Sequence, residues 1–236
     1  MILILKAGSS YNNIRTDYGD FEDWIKERMN LNEDEYFVHP IGNYQNLPPD
    51  LHFKGIIITG SHSMVTNIKP KGSKICNWLL SAQKSAIPIL GICYGHQLLS
   101  LLVDGSVEYN ANGTIIGSTR TYLTQAGQQD KLIGGFPPHF EVYKAHKQSV
   151  SRLPKSAEIL ATSESGRIDV FRLNKSTWGV QFHPEFDQNI TRAYIHEQSE
   201  ELIDEGLDPL ELSNNVVNVD YGVRILKCFK QIINNA

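Results

Sequence analysis

The first hundred residues switch repeatedly between unbroken apolar runs and apolar positions spaced three or four apart. "MILILK" (1–6) is a short apolar run ended by Lys6 and Gly8, the pattern of a parallel strand buried on both faces. In "GDFEDWIKERM" (19–29), Phe21, Trp24, Ile25 and Met29 recur at helical spacing with charges between them, which predicts an amphipathic helix. "EYFVHPI" reads as a second strand stopped by Pro40, "NLPPDL" (46–51) as a linker, and "KGIIITG" as a third buried strand ending in a glycine turn. "KICNWLLSAQKSA" predicts a helix with Ile75, Trp78, Leu79 and Ala82 on one face. "IPILGI" is a fourth strand, and "YGHQLLSLLVDG" a helix closed by Gly105. Strands alternating with helices imply βαβ units, a parallel sheet and a ligand site at the carboxyl ends of the strands.

Beyond residue 105 the pattern changes. "GTIIGSTRTYLT", "HFEVYKAH", "AEILATSE", "RIDVFRL" and "TWGVQFH" are short β-branched or aromatic runs separated by Gly, Pro, Ser and Asn. They read as antiparallel strands attached to the parallel core. The tail returns to helix in "QNITRAYIHEQSEELIDEG" and "NVDYGVRILKCFKQIINN". The acidic stretch "EQSEELIDEGLDPLEL" (197–212) reads as a solvated helix end and loop, with a partner-binding face as the alternative. No repeat or composition break marks a boundary. The expectation is therefore one α/β domain over residues 1–236: a mostly parallel central sheet flanked by helices, with an added antiparallel β segment.

Composition narrows the function classes. A formal net charge of −4 gives no electrostatic footprint for nucleic acid. Cys76, Cys93 and Cys228 are odd in number and widely spaced, which argues against a disulfide framework or a zinc site and fits a reducing compartment. "MILILKAGSS" is apolar only over residues 1–5, too short for a signal peptide core or a membrane span. The expectation is a cytoplasmic protein with no membrane partner. The eight histidines show no metal-ligand spacing, and no G-x-x-x-x-G-K-[ST] or "SGG" phosphate loop occurs, so neither metal nor cofactor is expected.

"GICYGHQ" (91–97) lies between the apolar runs "AIPIL" and "LLSLL". A strand, a tight turn and a helix around G-x-C-x-G form a nucleophile elbow, which projects the Cys93 thiol from the sheet edge. Gly91 and Gly95 leave room where a Cβ would crowd strand and helix. The helix N-terminus favours a thiolate, and the Tyr94 N–H points where an oxyanion would form. The alternative is a buried structural cysteine, the reading given to Cys76 and Cys228.

The base candidate is in "WGVQFHPEF" (178–186). His183 and Glu185 share one side if the chain stays extended, and Pro184 holds His183 extended. A carboxylate on one imidazole nitrogen sets the tautomer and leaves the other nitrogen for a nucleophile. The alternative is a strand-end histidine capped by a local carboxylate.

"GICYGHQ" with "GVQFHPE" resembles the class I (triad) glutamine amidotransferases, the family that includes the glutaminase domain of GMP synthetase. The resemblance runs from the first strand to the "HPE" turn. It implies a flavodoxin-like sheet, a Cys93, His183, Glu185 triad, a γ-glutamyl thioester, and ammonia as first product. "IIITGSHSMV" (56–65) stands where the family carries a Gly-Gly-Pro-type loop that completes the oxyanion hole. Gly60 matches, Ser61 replaces the second glycine and His62 the proline, so the backbone donor is carried over to Gly60–Ser61. Gln97 is expected to hold the substrate's amino-acid end, and His96 to be a helix-surface or packing residue. "YKAHKQSV" (143–150) resembles the family's S-H-x-D-x-V strand, with Lys147-Gln148 in place of its acidic pattern. His146 is then the runner-up base, site-lining or structural. Three functions follow: a freestanding hydrolase of glutamine or a related small-molecule γ-glutamyl amide; an ammonia-supplying subunit that works with a synthetase or transferase chain; and a non-enzymatic binding protein that kept the fold.

Overall fold

Strand β1 (Ile2–Lys6) divides its side chains between two cores. Ile2 and Ile4 enter one and Leu3 and Leu5 the other, which is why the run has no polar alternation. The computed structural model describes residues 1–41, 47–49, 51–67 and 73–236, and the linker expected at residues 46–51 lies partly outside them. Helix α1 (Asn12–Tyr18) follows β1, and then α2 (Phe21–Met29) buries Phe21, Trp24, Ile25 and Met29 as the spacing requires. Asp20 caps α2: its carboxylate accepts from the Phe21 N–H at 2.9 Å while Asp23 reaches back to the Asp20 N–H at 3.0 Å. Strand β2 (Tyr36–Pro40) ends on Pro40 at the sheet's edge, where the missing donor leaves no ladder bond unmade.

Strand β3 (Gly55–Ile58), a short 3₁₀ turn (Val65–Asn67), α3 (Lys74–Lys84), β4 (Ile89–Ile92) and α4 (Tyr94–Leu102) complete the first half. Helix α3 buries Ile75, Cys76, Leu79 and Ala82. Trp78, expected on that face, is only partly buried and donates its indole N–H to the Pro48 carbonyl at 2.7 Å. An amphipathic ring with a polar N–H suits the rim of a core better than its centre.

The second half comprises β5 (Ser106–Tyr109), β6 (Ile115–Leu123), α5 (Gln125–Gln128), β7 (His139–His146), β8 (Gln148–Arg152), β9 (Glu158–Ser163), β10 (Ile168–Asn174), β11 (Thr177–Val180), α6 (Gln188–Glu197), α7 (Ser199–Asp204), α8 (Pro209–Asn214) and α9 (Tyr221–Asn234). The main sheet runs β2-β1-β3-β4-β11-β10-β9-β6-β7. Its first five strands are parallel in flavodoxin-like order, and the last four join antiparallel. Strand β11 was expected among the antiparallel strands. It pairs antiparallel with β10 and parallel with β4, and so is the seam between the two halves. Strands β5 and β8 form a separate antiparallel ribbon. The acidic stretch ends the expected helix with α7 and then turns, as expected, but its last residues form α8, which the sequence reading left as loop.

Inside the antiparallel half, Lys144 and Asp169 form a buried ion pair at 2.7 Å, with the Thr121 hydroxyl donating to the same carboxylate at 2.7 Å. Pairing and an extra hydrogen bond are what a buried charge requires.

Two glycines set how closely α4 approaches the sheet. A Cβ on Gly91 would fall 2.5 Å from the backbone of Gly95, and one on Gly95 would fall 2.6 Å from the Ile58 carbonyl oxygen. Both obstacles are backbone and cannot swing aside. Alanine's helix preference over glycine is worth at most about 1 kcal/mol. We expect Gly95→Ala to destabilise the fold by about 1–3 kcal/mol, read as a lower urea midpoint at unchanged slope. An unchanged midpoint contradicts this close approach.

Candidate active site

Cys93 sits between β4 and α4 with φ 50° and ψ −97°, a left-handed backbone that costs a residue with a Cβ about 1–3 kcal/mol. Flanking bonds impose it. The Cys93 N–H donates to the Val180 carbonyl on β11 at 2.8 Å, and the Cys93 carbonyl accepts from the Gln97 N–H at 3.1 Å. The side chain is thereby turned out of the sheet at the start of a helix.

Beyond β11 the chain does not stay extended as expected: it bends at Gln181 and Phe182 and turns over Pro184–Glu185, where the Phe186 N–H donates to the His183 carbonyl at 3.3 Å, while the His183 N–H donates to the Tyr143 carbonyl at 2.8 Å. His183 Nδ1 lies 2.8 Å from Glu185 Oε1, and both side chains are buried. The imidazole stacks on Phe186 at a centroid distance of 4.1 Å, with Phe21 on α2 also parallel at 5.9 Å. Burial by itself pulls the imidazolium down. The Glu185 carboxylate and the Cys93 sulfur, by charge and by hydrogen bonds to both, outweigh it and push His183 up to about 10. The loop after β3 closes the group: a Cβ on Gly60 would lie 2.9 Å from His183 Cε1. Cys93, His183 with Glu185, and Gly60 therefore meet at the carboxyl ends of three adjacent parallel strands.

A chain of side-chain amides holds the other side of the sulfur. Gln97 Nε2 donates to the Gln148 carbonyl at 2.7 Å and to Gln181 Oε1 at 3.2 Å. Gln181 must then present its Nε2, which lies 3.7 Å from Cys93 Sγ. Gln181 was not foreseen; it is the first residue beyond β11, beside Cys93 at the end of β4, and only the pairing of those two strands brings it to the sulfur.

Cys93 and Gln97 form part of the wall of a pocket of about 120 Å³, together with Ser61, His62, His146 and Gln148. His146 Nδ1 is 2.9 Å from the Gln148 carbonyl, which only accepts, so Nδ1 carries the hydrogen and Nε2 is an acceptor. Burial, then the Lys144 charge, holds His146 well below its ordinary value, so the ring is neutral. His146 Nε2 and Gln148 Oε1 are buried and have no partner among the described residues. The runner-up base thus lines the pocket as a neutral ring, while the imidazole raised by the Cys93 sulfur is that of His183. His62, in the place of the family's proline, packs against Tyr11 with the rings tilted and 4.2 Å between centroids, and its Nε2 lies 3.4 Å from the Tyr194 hydroxyl. Ser61 Oγ accepts from the Ser63 N–H at 3.1 Å. Tyr94 is the first residue of α4. His96 is a packing residue, buried against Phe171 at 4.6 Å and pushed down to about 3 by burial and then by the Lys144 charge. Among the described residues there is no group of three or more His, Cys, Asp or Glu suited to a metal ion, and no helix long and apolar enough to cross a membrane.

A family model described as "Glutamine amidotransferase class-I" matches residues 16–202. The chain is 35% identical over 167 residues to "GMP synthase [glutamine-hydrolyzing]" of Porphyromonas gingivalis, covering 70% of this chain and 30% of that protein. In Methanocaldococcus jannaschii it is 34% identical over 133 residues to one named subunit of "GMP synthase [glutamine-hydrolyzing]", covering 56% of this chain and 64% of that one. It is 25% identical over 186 residues to the "Gamma-glutamyl-L-1-hydroxyisopropylamide hydrolase" of a Pseudomonas species, covering 76% and 62%. A glutamine amidotransferase crystal structure from Thermotoga maritima shares the fold with a TM-score of 0.76 at 20% identity, covering 100% of this chain and 99% of that one.

Because the folded value of His183 is raised, its ionisation stabilises the fold fully below the ordinary value of 6.5, and that contribution is lost as pH rises through about 10. In an imidazole NMR titration, His183 should stay protonated through neutral pH. Its midpoint should fall in Cys93→Ala and in Glu185→Gln, each of which removes one of the groups that raise it. A midpoint near the ordinary value in the unmodified protein contradicts the charge arrangement.

Proposed function

The chain belongs to the class I glutamine amidotransferase family, and from that premise we propose that it is a cysteine amidohydrolase cleaving the γ-amide of glutamine or a related γ-glutamyl compound. The observation that carries this reading is the buried His183, bonded to Glu185 at 2.8 Å and held protonated by that carboxylate and the Cys93 sulfur. In this mechanism the sulfur attacks the γ-carbonyl carbon, and the carbonyl electrons move to oxygen, facing the backbone N–H groups of Tyr94 and the Gly60–Ser61 turn. The oxyanion collapses, the C–N bond breaks, and His183 Nε2 gives its proton to the leaving amine. A γ-glutamyl thioester remains on Cys93. His183 then takes a proton from water, the hydroxide displaces the sulfur, and glutamate leaves. Glu185 holds the Nδ1 hydrogen and orients the ring.

The substrate's α-ammonium needs acceptors, and His146 Nε2 and Gln148 Oε1 are two buried acceptors without partners among the described residues. Gln97, with its amide nitrogen committed to Gln148 and Gln181, serves that end by positioning them. The mechanism calls for neither metal nor cofactor. We take residues 1–236 as one amidotransferase domain. The three free thiols fit a reducing, cytoplasmic setting.

One finding favours a second reading, an ammonia-supplying subunit paired with a synthetase: the 34% identity to the Methanocaldococcus jannaschii relative, which is itself named as one subunit of its enzyme. Such a chain is slow alone and accelerates with its partner, whereas a hydrolase turns over unaided. Release of ammonia or amine from a series of γ-glutamyl amides separates the two. In that assay Cys93→Ala should abolish turnover with the fold intact, and His183→Ala should cost a comparable factor. Glu185→Gln should cost roughly 10–100 times less than either, since it orients rather than reacts. Full activity in Cys93→Ala rules the mechanism out. Failure of Cys93 to react with a glutamine-mimicking electrophile favours a binding protein that has lost turnover.

A further inference from the structure

Three glutamates of the acidic stretch make contacts inside the molecule. Glu197, Glu201 and Glu205 stand four residues apart, so they share one side of a nearly continuous helical run. The Leu202 N–H bonds the Gln198 carbonyl at 2.9 Å, and the Glu205 N–H bonds the Glu201 carbonyl at 3.0 Å. Each glutamate grips a different element. Glu197 accepts from the Asn13 amide on α1. Glu201 forms an ion pair with Lys147, the residue between β7 and β8. Glu205 accepts from the Thr114 backbone N–H at 2.6 Å and from its hydroxyl at 3.0 Å, just before β6. Gly113 makes that last approach feasible, since a Cβ there would lie 2.5 Å from Glu205 Oε2.

The gripped elements surround the Cys93 pocket. Tyr194, Gln198 and Glu201 from the helical run line it, and so do Thr114 and Lys147 from the β segment. Cys93 at the floor is 5% exposed, whereas the Glu201 and Lys147 side chains are 50% and 29% exposed, which puts their ion pair at the mouth. The pocket is small, about 120 Å³, so a closed mouth limits what extends beyond the amide. The run itself is anchored by Ile190, Ile195 and Leu202 in a buried cluster, so what opens without unfolding is the exposed Glu201–Lys147 pair at the mouth, since ion pairs this exposed are individually weak.

We propose that α6–α7 is a strap over the pocket that sets the size of γ-glutamyl amide admitted to Cys93, with Glu201, through Lys147, as its specificity-determining residue. The substrate class rests on the hydrolase reading above; the strap itself does not. The test therefore uses a probe independent of turnover. Rates of Cys93 alkylation by iodoacetamide and by a bulky aryl maleimide are measured by peptide mass mapping, which separates Cys93 from Cys76 and Cys228. The bulky-to-small rate ratio should rise roughly threefold in Glu201→Gln, and more than tenfold in Glu197→Gln/Glu201→Gln/Glu205→Gln. Lys147→Gln breaks the same ion pair from the other side and should reproduce the single-variant ratio. Should Glu201→Gln fold poorly, Lys147→Gln decides alone. Where hydrolysis is measurable, kcat/KM for a γ-glutamyl anilide relative to glutamine should shift in the same direction. A ratio that does not rise when the ion pair is broken overturns the strap. A rising ratio in a chain that hydrolyses no γ-glutamyl amide leaves the strap standing and removes the hydrolase reading.

Discussion

A histidine enclosed by aromatic rings should lose its proton, and His183 keeps it. The pairing of its imidazole with the Cys93 sulfur and the Glu185 carboxylate is the constraint to which the rest of the site answers. Desolvation works against the charged ring, so the two partners must be close and fixed. Fixing them is the task of the parallel half of the sheet. Cys93 leaves β4, His183 lies just beyond β11, and these strands are hydrogen-bonded neighbours in register, Val180 beside Ile92. Two groups far apart in sequence become adjacent because the strands that carry them pair. The Cys93 N–H bond to the Val180 carbonyl extends that pairing one residue into the strained turn.

The antiparallel half supplies the rest of the pocket. His146 and Gln148 come from the β7–β8 junction, and the buried Lys144–Asp169 pair ties β7 to β10. The Lys144 charge also helps keep His96 and His146 neutral, leaving His183 as the one of the three held protonated. A neutral acceptor and a protonated donor thus line one site made from the same residue type, separated by which charge each ring faces.

Much of this was legible in the sequence, for identifiable reasons. The buried runs of β1, β3 and β4, the α2 periodicity and the glycines around Cys93 are local patterns, and each became the expected element. The "HPE" motif named the right carboxylate for the histidine, but the two meet across a tight turn, closed by the Phe186 N–H on the His183 carbonyl, and not on one side of an extended strand. What escaped depends on partners remote in the chain. Strand β5 is short and half-exposed and has meaning only beside β8. Trp78 gave way to Cys76 in the core because the Pro48 carbonyl waits at the rim. Gln97 lines the pocket where a substrate contact was expected, but that its amide nitrogen is engaged with Gln148 and Gln181 could not be read locally. Glutamates that read as a solvated face are bonded to Asn13, Lys147 and Thr114, none of them near in sequence.

The account turns on whether the Cys93 sulfur is the atom that receives the γ-glutamyl group. Rapid acid quench of the protein during exposure to glutamine, followed by peptide mass mapping, reads this directly. One γ-glutamyl group should appear on the peptide containing Cys93 and disappear on treatment with hydroxylamine, as a thioester does. Ammonia release with no such adduct at Cys93, or an adduct on Cys76 or Cys228 instead, contradicts the account.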